Sequence, residues 1–349
     1  MKIGLLTYHI STNIGAMMQT YATCKAMRQL GHDVVIVDIR QPESKHSGLI
    51  KYITNMMFVK QAREHQKFRK EYYPPLTRHY NTVEELRKEP PMVDCLVVGS
   101  DQTWNPAISK EVSMAYFLDF GADSIRRFSY ASSFGMDQWD KSKELTESVN
   151  LALHRMQSIS VREKTAIKIC KETFGKEAEL VVDPTLLFDG YPEITGPIKE
   201  REELLCYKLR RNDDFYRNIG ILKKNIGLPA RLLNNVFPVK GLKYMYPPSV
   251  KEWIMRIGGA KFVVTDSFHG VAFSLLYKRQ FAVIRNHNGR DSRFEDLLAA
   301  VGLEDRIFDS VAQLSQTDSW KKEIDYNEVT PKLERLRSAS WDYLKKALS

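Results

Sequence analysis

Residues 1–40 read MKIGLLTYHISTNIGAMMQTYATCKAMRQLGHDVVIVDIR. Lys2–Tyr8 is an apolar run of strand length, and Gly15–Leu30 carries Met17, Met18, Tyr21, Ala22 and Met27 near helical spacing. Gly31 stands where a helix would end, and Asp33–Ile39 is a second apolar strand. Strand, helix and strand in succession form a βαβ unit, which favours a parallel sheet with a right-handed crossover.

The same alternation continues outward. Asp94–Val98, Phe128–Ala131, Ser158–Val161 and Leu180–Val182 read as further buried strands with helical stretches between several of them. This is the pattern of a doubly wound α/β domain, whose ligands sit outside the carboxyl ends of the strands. Pro192–Glu203 breaks the apolar pattern with prolines, a glycine and charges, and reads as a linker. A second α/β set follows, with strands at Leu204–Leu209, Ala230–Leu233, Lys261–Thr265 and Gln280–Arg285. Ser249 is placed to cap a helix that puts Val250, Trp253, Ile254 and Ile257 on one face, and Asp291 to cap another through Ala300. The expected division is residues 1–195, residues 196–330, and a terminal helix at 331–349 that packs back across the domain boundary. The two halves share no sequence repeat.

Composition agrees with two folded domains. At about 150 residues per domain, 349 residues suffice for two cores without staples. Lys and Arg total 52 against 43 Asp and Glu, giving +9, which fits nucleic acid, an anionic membrane surface or an anionic small substrate. Lys60–Lys70, with Phe68, Tyr72 and Tyr73 interleaved, offers cations and aromatics for nucleic acid. Glu64 and Glu71 interrupt that charge, so a solvated helix with its aromatics turned inward is the stronger reading, and no nucleic-acid partner is expected. Cys24, Cys95, Cys170 and Cys206 are scattered, which points to buried free thiols rather than zinc or a disulfide framework. The opening apolar run is too short for a signal peptide, and nowhere do 18 apolar residues run together. A reducing cytoplasm is the expected setting.

The candidate site residues lie in loops that follow the apolar strands. Tyr8–Ala16 leads into a helix, where amides and the helix dipole can hold an anion. It lacks GxGxxG, which disfavours a dinucleotide, and Asn13 reads either as a helix cap or as a ligand contact, with Gly15 and Gln19 beside it. GSDQTWN at 99–105 offers Asp101 and Gln102 as ligand contacts, and Trp104 as either a sugar platform or core. YASSFG at 130–135, with Ser132, suits ligand contact or close backbone approach equally. Arg162 ends a strand where a guanidinium can grip phosphate or carboxylate with paired bonds; a surface ion pair is the bland alternative. Asp183 reads as a turn residue or a ligand contact. TDSFHG at 265–270 ends a strand in hydroxyl, acid and imidazole just before an apolar helix. His269 there can exchange protons near neutral pH, with Asp266 to orient it. Arg279, Arg285, Arg290 and Arg293, with His287 among them, form a basic cluster that favours an anionic donor.

Taken in order, GLLTYH at 4–9, NIGAMMQ at 13–19, GSDQTWN, YASSFG, VRE at 161–163, DPTLL at 183–187 and TDSFHG make the chain resemble the polysaccharide pyruvyl transferase family. The resemblance implies two Rossmann-like domains facing a cleft, GT-B-like, and transfer of a pyruvyl group from phosphoenolpyruvate to sugar hydroxyls as a cyclic ketal. It also implies work without a metal, and no cofactor beyond that donor. The donor would lie against the second domain, at Ser267, Phe268 and Gly270 around His269. The acceptor, a glycan or lipid-linked saccharide, would lie along the first, at Asn13, Gly15, Gln19, Asp101, Gln102 and Ser132. By the same resemblance His269 is the acid/base and Arg162 helps to bind the donor. Better characterised members carry an arginine where this chain has Ser267, and Arg290 or Arg293 is the expected replacement. The rival expectations are a nucleotide-sugar glycosyltransferase and a noncatalytic glycan-binding protein. A basic enzyme of this kind would be cytoplasmic, with transient visits to the inner face of the membrane and no integral segment.

Overall fold

The computed structural model describes residues 1–40, 49–209, 213–233, 239, 241–245, 247–286 and 291–349. Of these, 1–40, 72–187 and 335–349 form one compact unit, and 49–71 with 188–334 form a second. Residues 49–71, expected in the first domain, thus group with the second unit.

The first unit is built on β1 (Lys2–Leu6), β2 (Asp33–Ile39), β3 (Leu76–Tyr80), β4 (Cys95–Val98) and β5 (Arg126–Ser129). All pair in parallel in the order β3-β2-β1-β4-β5, so the strand order reverses between β1 and β4. β6 (Ser160–Val161) and β7 (Glu179–Leu180) make a small parallel pair, joined toward β5 by bridges such as Phe128 to Ser158. β1, β2 and β4 are largely buried, which is why they read as continuous apolar runs. β3 was not anticipated, because an edge strand reading LTRHY that is exposed at most positions carries no apolar signal.

The helix Ile14–Gln29 starts at the Asn13 cap and ends just before Gly31, whose φ of +84° is the left-handed turn that glycine favours there. It is buried all round except near its end, consistent with cover on several sides: Tyr73 donates to the Met17 carbonyl at 3.0 Å, and the turn Pro184–Leu186 packs against it. Arg127, on β5, is fully buried and donates to the carbonyls of Leu118, Phe120, Gly121, Ala122 and Ile125, tying down the loop before its own strand.

The second unit carries β8 (Arg201–Tyr207), β9 (Ala230–Leu233), β10 (Lys243–Tyr244), β11 (Ala260–Thr265), β12 (Gln280–Ile284) and β13 (Ile307–Phe308). The order β10-β9-β8-β11-β12-β13, again all parallel, reverses between β8 and β11. Both units therefore have Rossmann topology. Ser249 forms a full capping box with Glu252, and Val250, Trp253, Ile254 and Ile257 are buried as their spacing predicts. Asp291 does not cap the helix Ser292–Val301; its carboxylate accepts instead from the Asn286 amide at 3.1 and 3.2 Å. The expected linker is partly structured, since Pro192–Thr195 forms a helical turn and β8 starts at Arg201.

All four cysteines are buried free thiols, and burial pushes those of Cys24, Cys95 and Cys170 up to about 12. Phe68 and Tyr73 are buried at the end of the helix Leu49–Tyr72 and just beyond it, in keeping with the solvated-helix reading of that basic stretch. Among the described residues no helix is long and apolar enough to cross a membrane.

Candidate functional site

Ligands of doubly wound sheets collect where the strand order reverses, at the carboxyl ends of the strands. In the first unit that crevice lies between Thr7–His9, after β1, and Gly99–Asp101, after β4. A cavity of ≈ 490 Å³ opens there, and its walls include Tyr8, His9, Asn13, Arg40, Asp101, Gln102 and Tyr116.

Asp101 adopts φ +78°, a conformation that few residues other than glycine tolerate and that Asp adopts more readily than most. Such an outlier persists only where its surroundings over-determine it. Here the Asp101 Oδ1 accepts from the Gln102 amide at 2.8 Å and from Arg162 Nη2 at 3.2 Å, while its carbonyl accepts from the Ser133 amide at 3.0 Å. Arg162 is buried behind it, its side chain 1% exposed. Its Nη1 donates to Asp183 Oδ2 at 2.7 Å and to Ser100 Oγ at 3.1 Å. Asp183 also accepts from the Ser100 hydroxyl at 2.8 Å and from the Thr185 amide and hydroxyl at 3.1 and 2.7 Å. Burial works against the arginine's charge, but Asp183, Asp101 and Glu163 outweigh it and raise its pKa above the ordinary arginine value. The Arg162 guanidinium, expected to help bind the donor, holds Asp101 and Asp183 here. Asp183, open between turn and ligand contact, is part of this buried clamp.

A second buried cluster was not anticipated. His9 Nε2 lies 2.9 Å from Asp38 Oδ1, and its Nδ1 lies 3.2 Å from the Thr7 carbonyl. Arg40 donates to both Asp38 oxygens, from Nε at 2.7 Å and from Nη2 at 2.6 Å. Burial alone would raise the Asp38 pKa, yet the bonds and charges of His9 and Arg40 prevail and hold it well below the usual carboxylate range. Both His9 nitrogens face protein acceptors, so His9 braces Asp38, and Asp38 orients Arg40, whose side chain is 43% exposed at the cavity. The available signal was Asp38 itself, an acid set between apolar residues near the end of the strand DVVIVDI. Burial also pushes the Tyr8 and Tyr116 phenols up, so both remain protonated and the Tyr8 hydroxyl donates to the Gln102 carbonyl at 3.0 Å.

Of the six acceptor-side residues expected, Asn13, Asp101 and Gln102 line the cavity. Asn13 does so while capping the helix, its Oδ1 accepting from the Gly15 amide at 2.9 Å. Gly15, Gln19 and Ser132 are buried instead. Gln19 donates to Thr7 Oγ1 and the Ala16 carbonyl, and Ser132 to the Gly99 carbonyl, so these side chains brace the two loops. Trp104 is fully buried core, its indole N–H donating to the Tyr116 carbonyl at 3.0 Å.

In the second unit the corresponding crevice lies between Lys208, after β8, and Asp266, after β11. His269 is 5% exposed in the first turn of the helix Phe268–Leu276, flanked by buried Ser267 and Phe268. Ser267 Oγ accepts from the Gly270 amide at 3.3 Å and caps that helix. A Cβ on Gly270 would fall 2.3 Å from Thr265 Oγ1, so only glycine lets the helix start this close to the end of β11. Asp266, expected to orient His269, gives its oxygens to Lys208 Nζ at 2.8 Å and the Leu209 amide at 2.9 Å. The basic cluster is dispersed. Arg279 precedes β12, at the opposite edge of the sheet, and pairs with Glu200; Arg285 pairs with Glu295 and Asp309. Arg293 lies near the start of the helix Ser292–Val301, and Arg290 and His287 lie outside the described residues.

In structure the chain is similar to UDP-N-acetylglucosamine 2-epimerase from Rickettsia bellii, with 12% identity, a TM-score of 0.59, and coverage of 100% of this chain and 96% of that one. It is also similar to UDP-GlcNAc 2-epimerase from Methanocaldococcus jannaschii, with 13% identity, a TM-score of 0.54, and coverage of 93% of each chain. At such identities the likeness bears on fold alone, and that fold is α/β of the GT-B class. No curated protein matches the sequence. The family described as polysaccharide pyruvyl transferase matches residues 13–288, a span that runs from the Asn13 cap through Asp101 and Arg162 to His269. That span covers most of the chain, and the protein belongs to the polysaccharide pyruvyl transferase family, a transferase family of polysaccharide biosynthesis.

Proposed function

We propose that this protein transfers the pyruvyl group of phosphoenolpyruvate to two hydroxyls of a saccharide, releasing phosphate and leaving a cyclic ketal. The observation that carries the reading is His269, held in the first turn of a helix at the strand-order reversal of the second unit, within the span matched by the family. The methylene carbon of the donor takes a proton, which makes the carbon bearing phosphate electrophilic. One sugar hydroxyl adds there and loses its proton, phosphate leaves with the C–O electron pair, and the second hydroxyl closes the ring as its proton is lost; one of these two protons replaces that taken by the methylene carbon and the other leaves on phosphate. His269 is the proposed proton carrier, worth about 10²–10⁴-fold. The Phe268 amide at the helix start would face the donor anion, with Ser267 and Gly270 beside it. Arg290 and Arg293 are proposed to supply the charge that Ser267 lacks, with no metal or further cofactor. The acceptor would occupy the first unit's cavity, with its hydroxyls toward Asp101, Gln102 and Asn13, and Arg162 would act as a positioning residue for Asp101. The reaction is proposed for the cytoplasm, with a lipid-linked acceptor met at the inner membrane face.

Mass spectrometry of saccharides incubated with the protein and either phosphoenolpyruvate or nucleotide sugars tests this reading. A mass gain of pyruvate less one water supports it. A gain of one sugar residue with release of a nucleoside diphosphate replaces it by glycosyl transfer, and saccharide binding without donor binding replaces it by a noncatalytic role. His269→Ala should lower turnover by about 10²–10⁴-fold with donor affinity retained, and near-normal turnover would remove His269 from the chemistry.

A further inference from the structure

The amino edge of the second unit's sheet, opposite the edge that carries His269, holds a cavity of ≈ 270 Å³ to which neither the motifs nor the proposed chemistry assigns a role. β8, β9 and β10 run in parallel and begin there, at Arg201, Ala230 and Lys243. Arg201, Arg231, Lys243 and Arg256 line the cavity together with Glu202 and Glu203.

The charges do not balance within this set. Glu203 is nearly buried and shared by two guanidiniums, accepting from Arg231 Nε at 3.0 Å and from Arg256 Nη1 at 3.2 Å. Glu202 turns to Lys261 at 2.7 Å, outside the cavity lining. Arg201 and Lys243 have no ion pair among the described residues, and the Arg201 Nε is buried without a hydrogen-bond partner. A buried guanidinium N–H left unclaimed is costly unless a ligand takes it. Two uncompensated cations, with two further guanidiniums sharing one carboxylate, match the charge and fork geometry of a phosphate dianion better than those of a single carboxylate.

We propose that this cavity is a binding site for a phosphate group, distinct from the His269 crevice and about one strand length, ~20 Å, from it. The cavity exceeds a bare phosphate and leaves room for a small ester. The inference does not depend on the reaction assigned to the protein.

Calorimetry on the full chain, with inorganic phosphate and separately with glycerol phosphate at constant ionic strength, tests it. One saturable site should be lost or weakened at least about tenfold in Arg201→Gln/Lys243→Gln and retained in His269→Ala, a loss of roughly one charged hydrogen bond or more. Tighter binding of the ester would identify a phosphoryl ligand, and equal binding the free anion. Lys243→Gln alone, at an exposed strand start, covers the case in which the double variant fails to fold, and should itself weaken binding. Phosphate affinity unchanged in Lys243→Gln and in the double variant would overturn the proposal.

Discussion

Asp101 and Arg162 show how a side chain at a strand end can be fixed by partners in the interior. Arg162 stands at a strand end, where fold logic points side chains at ligands, yet its guanidinium joins Asp101 and Asp183 in the interior. Removing Arg162 takes its guanidinium away from the buried Asp183 carboxylate. Arg162→Met should therefore cost about 3–5 kcal/mol in chemical denaturation. Asp101→Asn keeps a residue type that tolerates positive φ and leaves the Arg162–Asp183 pair intact. It should cost much less stability while weakening saccharide binding about tenfold, the loss of one charged hydrogen bond. Equal destabilisation by the two variants would show that Asp101 is part of the clamp and nothing more.

The ends of β2 and β11 carry contrasting constraints. At β2 the constraint is charge, because Asp38 is held ionised by His9 and Arg40. A depressed carboxylate stabilises the fold above its unfolded pKa, near the ordinary value of 3.8, and that contribution disappears as pH falls through the lower folded value. Asp38→Asn should thus destabilise at pH 7 by roughly 2–3 kcal/mol, short of a fully buried pair because Arg40 is partly exposed. The difference from the unmodified protein should shrink below about pH 4, and denaturation across pH 2–8 checks this. At β11 the constraint is space. Gly270→Ala would press a methyl onto Thr265 Oγ1, which already accepts from the Ser267 amide at 3.1 Å. The expected cost is about 1–3 kcal/mol, and it should fall in a Thr265→Ala background, the signature of a shared steric contact.

Across the whole molecule, the last fifteen residues complete the first unit. Ser340 Oγ accepts from the Val182 amide at 2.9 Å, Arg337 donates to the Leu186 carbonyl at 2.7 Å, and Tyr343 donates to the Ser129 carbonyl at 2.8 Å. Tyr343, Leu344 and Leu348 are buried there. A chain ending at Glu334 should melt about 10 °C lower or more, at roughly 2–4 °C per kcal/mol for units of this size, and calorimetry would register the loss in the first unit. Much of this architecture was legible in sequence. β1, β2 and β4 are apolar because they are largely buried, and Ser249, Asn13 and Gly31 mark helix ends by chemistry that acts over a few residues. The crevice motifs were legible for the same reason, since strand ends in this fold follow from the order of elements. The partners of each polar side chain were not. Arg162 meets Asp101 across 61 residues and Asp183 across 21, and His9 meets Asp38 across 29, so no local pattern records these pairings. Sequence by itself determined the βαβ alternation, the Ser249 cap, the helix end at Gly31 and the family, because each rests on short-range periodicity or on motifs kept in order. Folding alone assigned Arg162 to a buried clamp, Asp266 to Lys208 and Arg40 to the cavity, because burial and charge pairing depend on which strand ends the sheet order brings together.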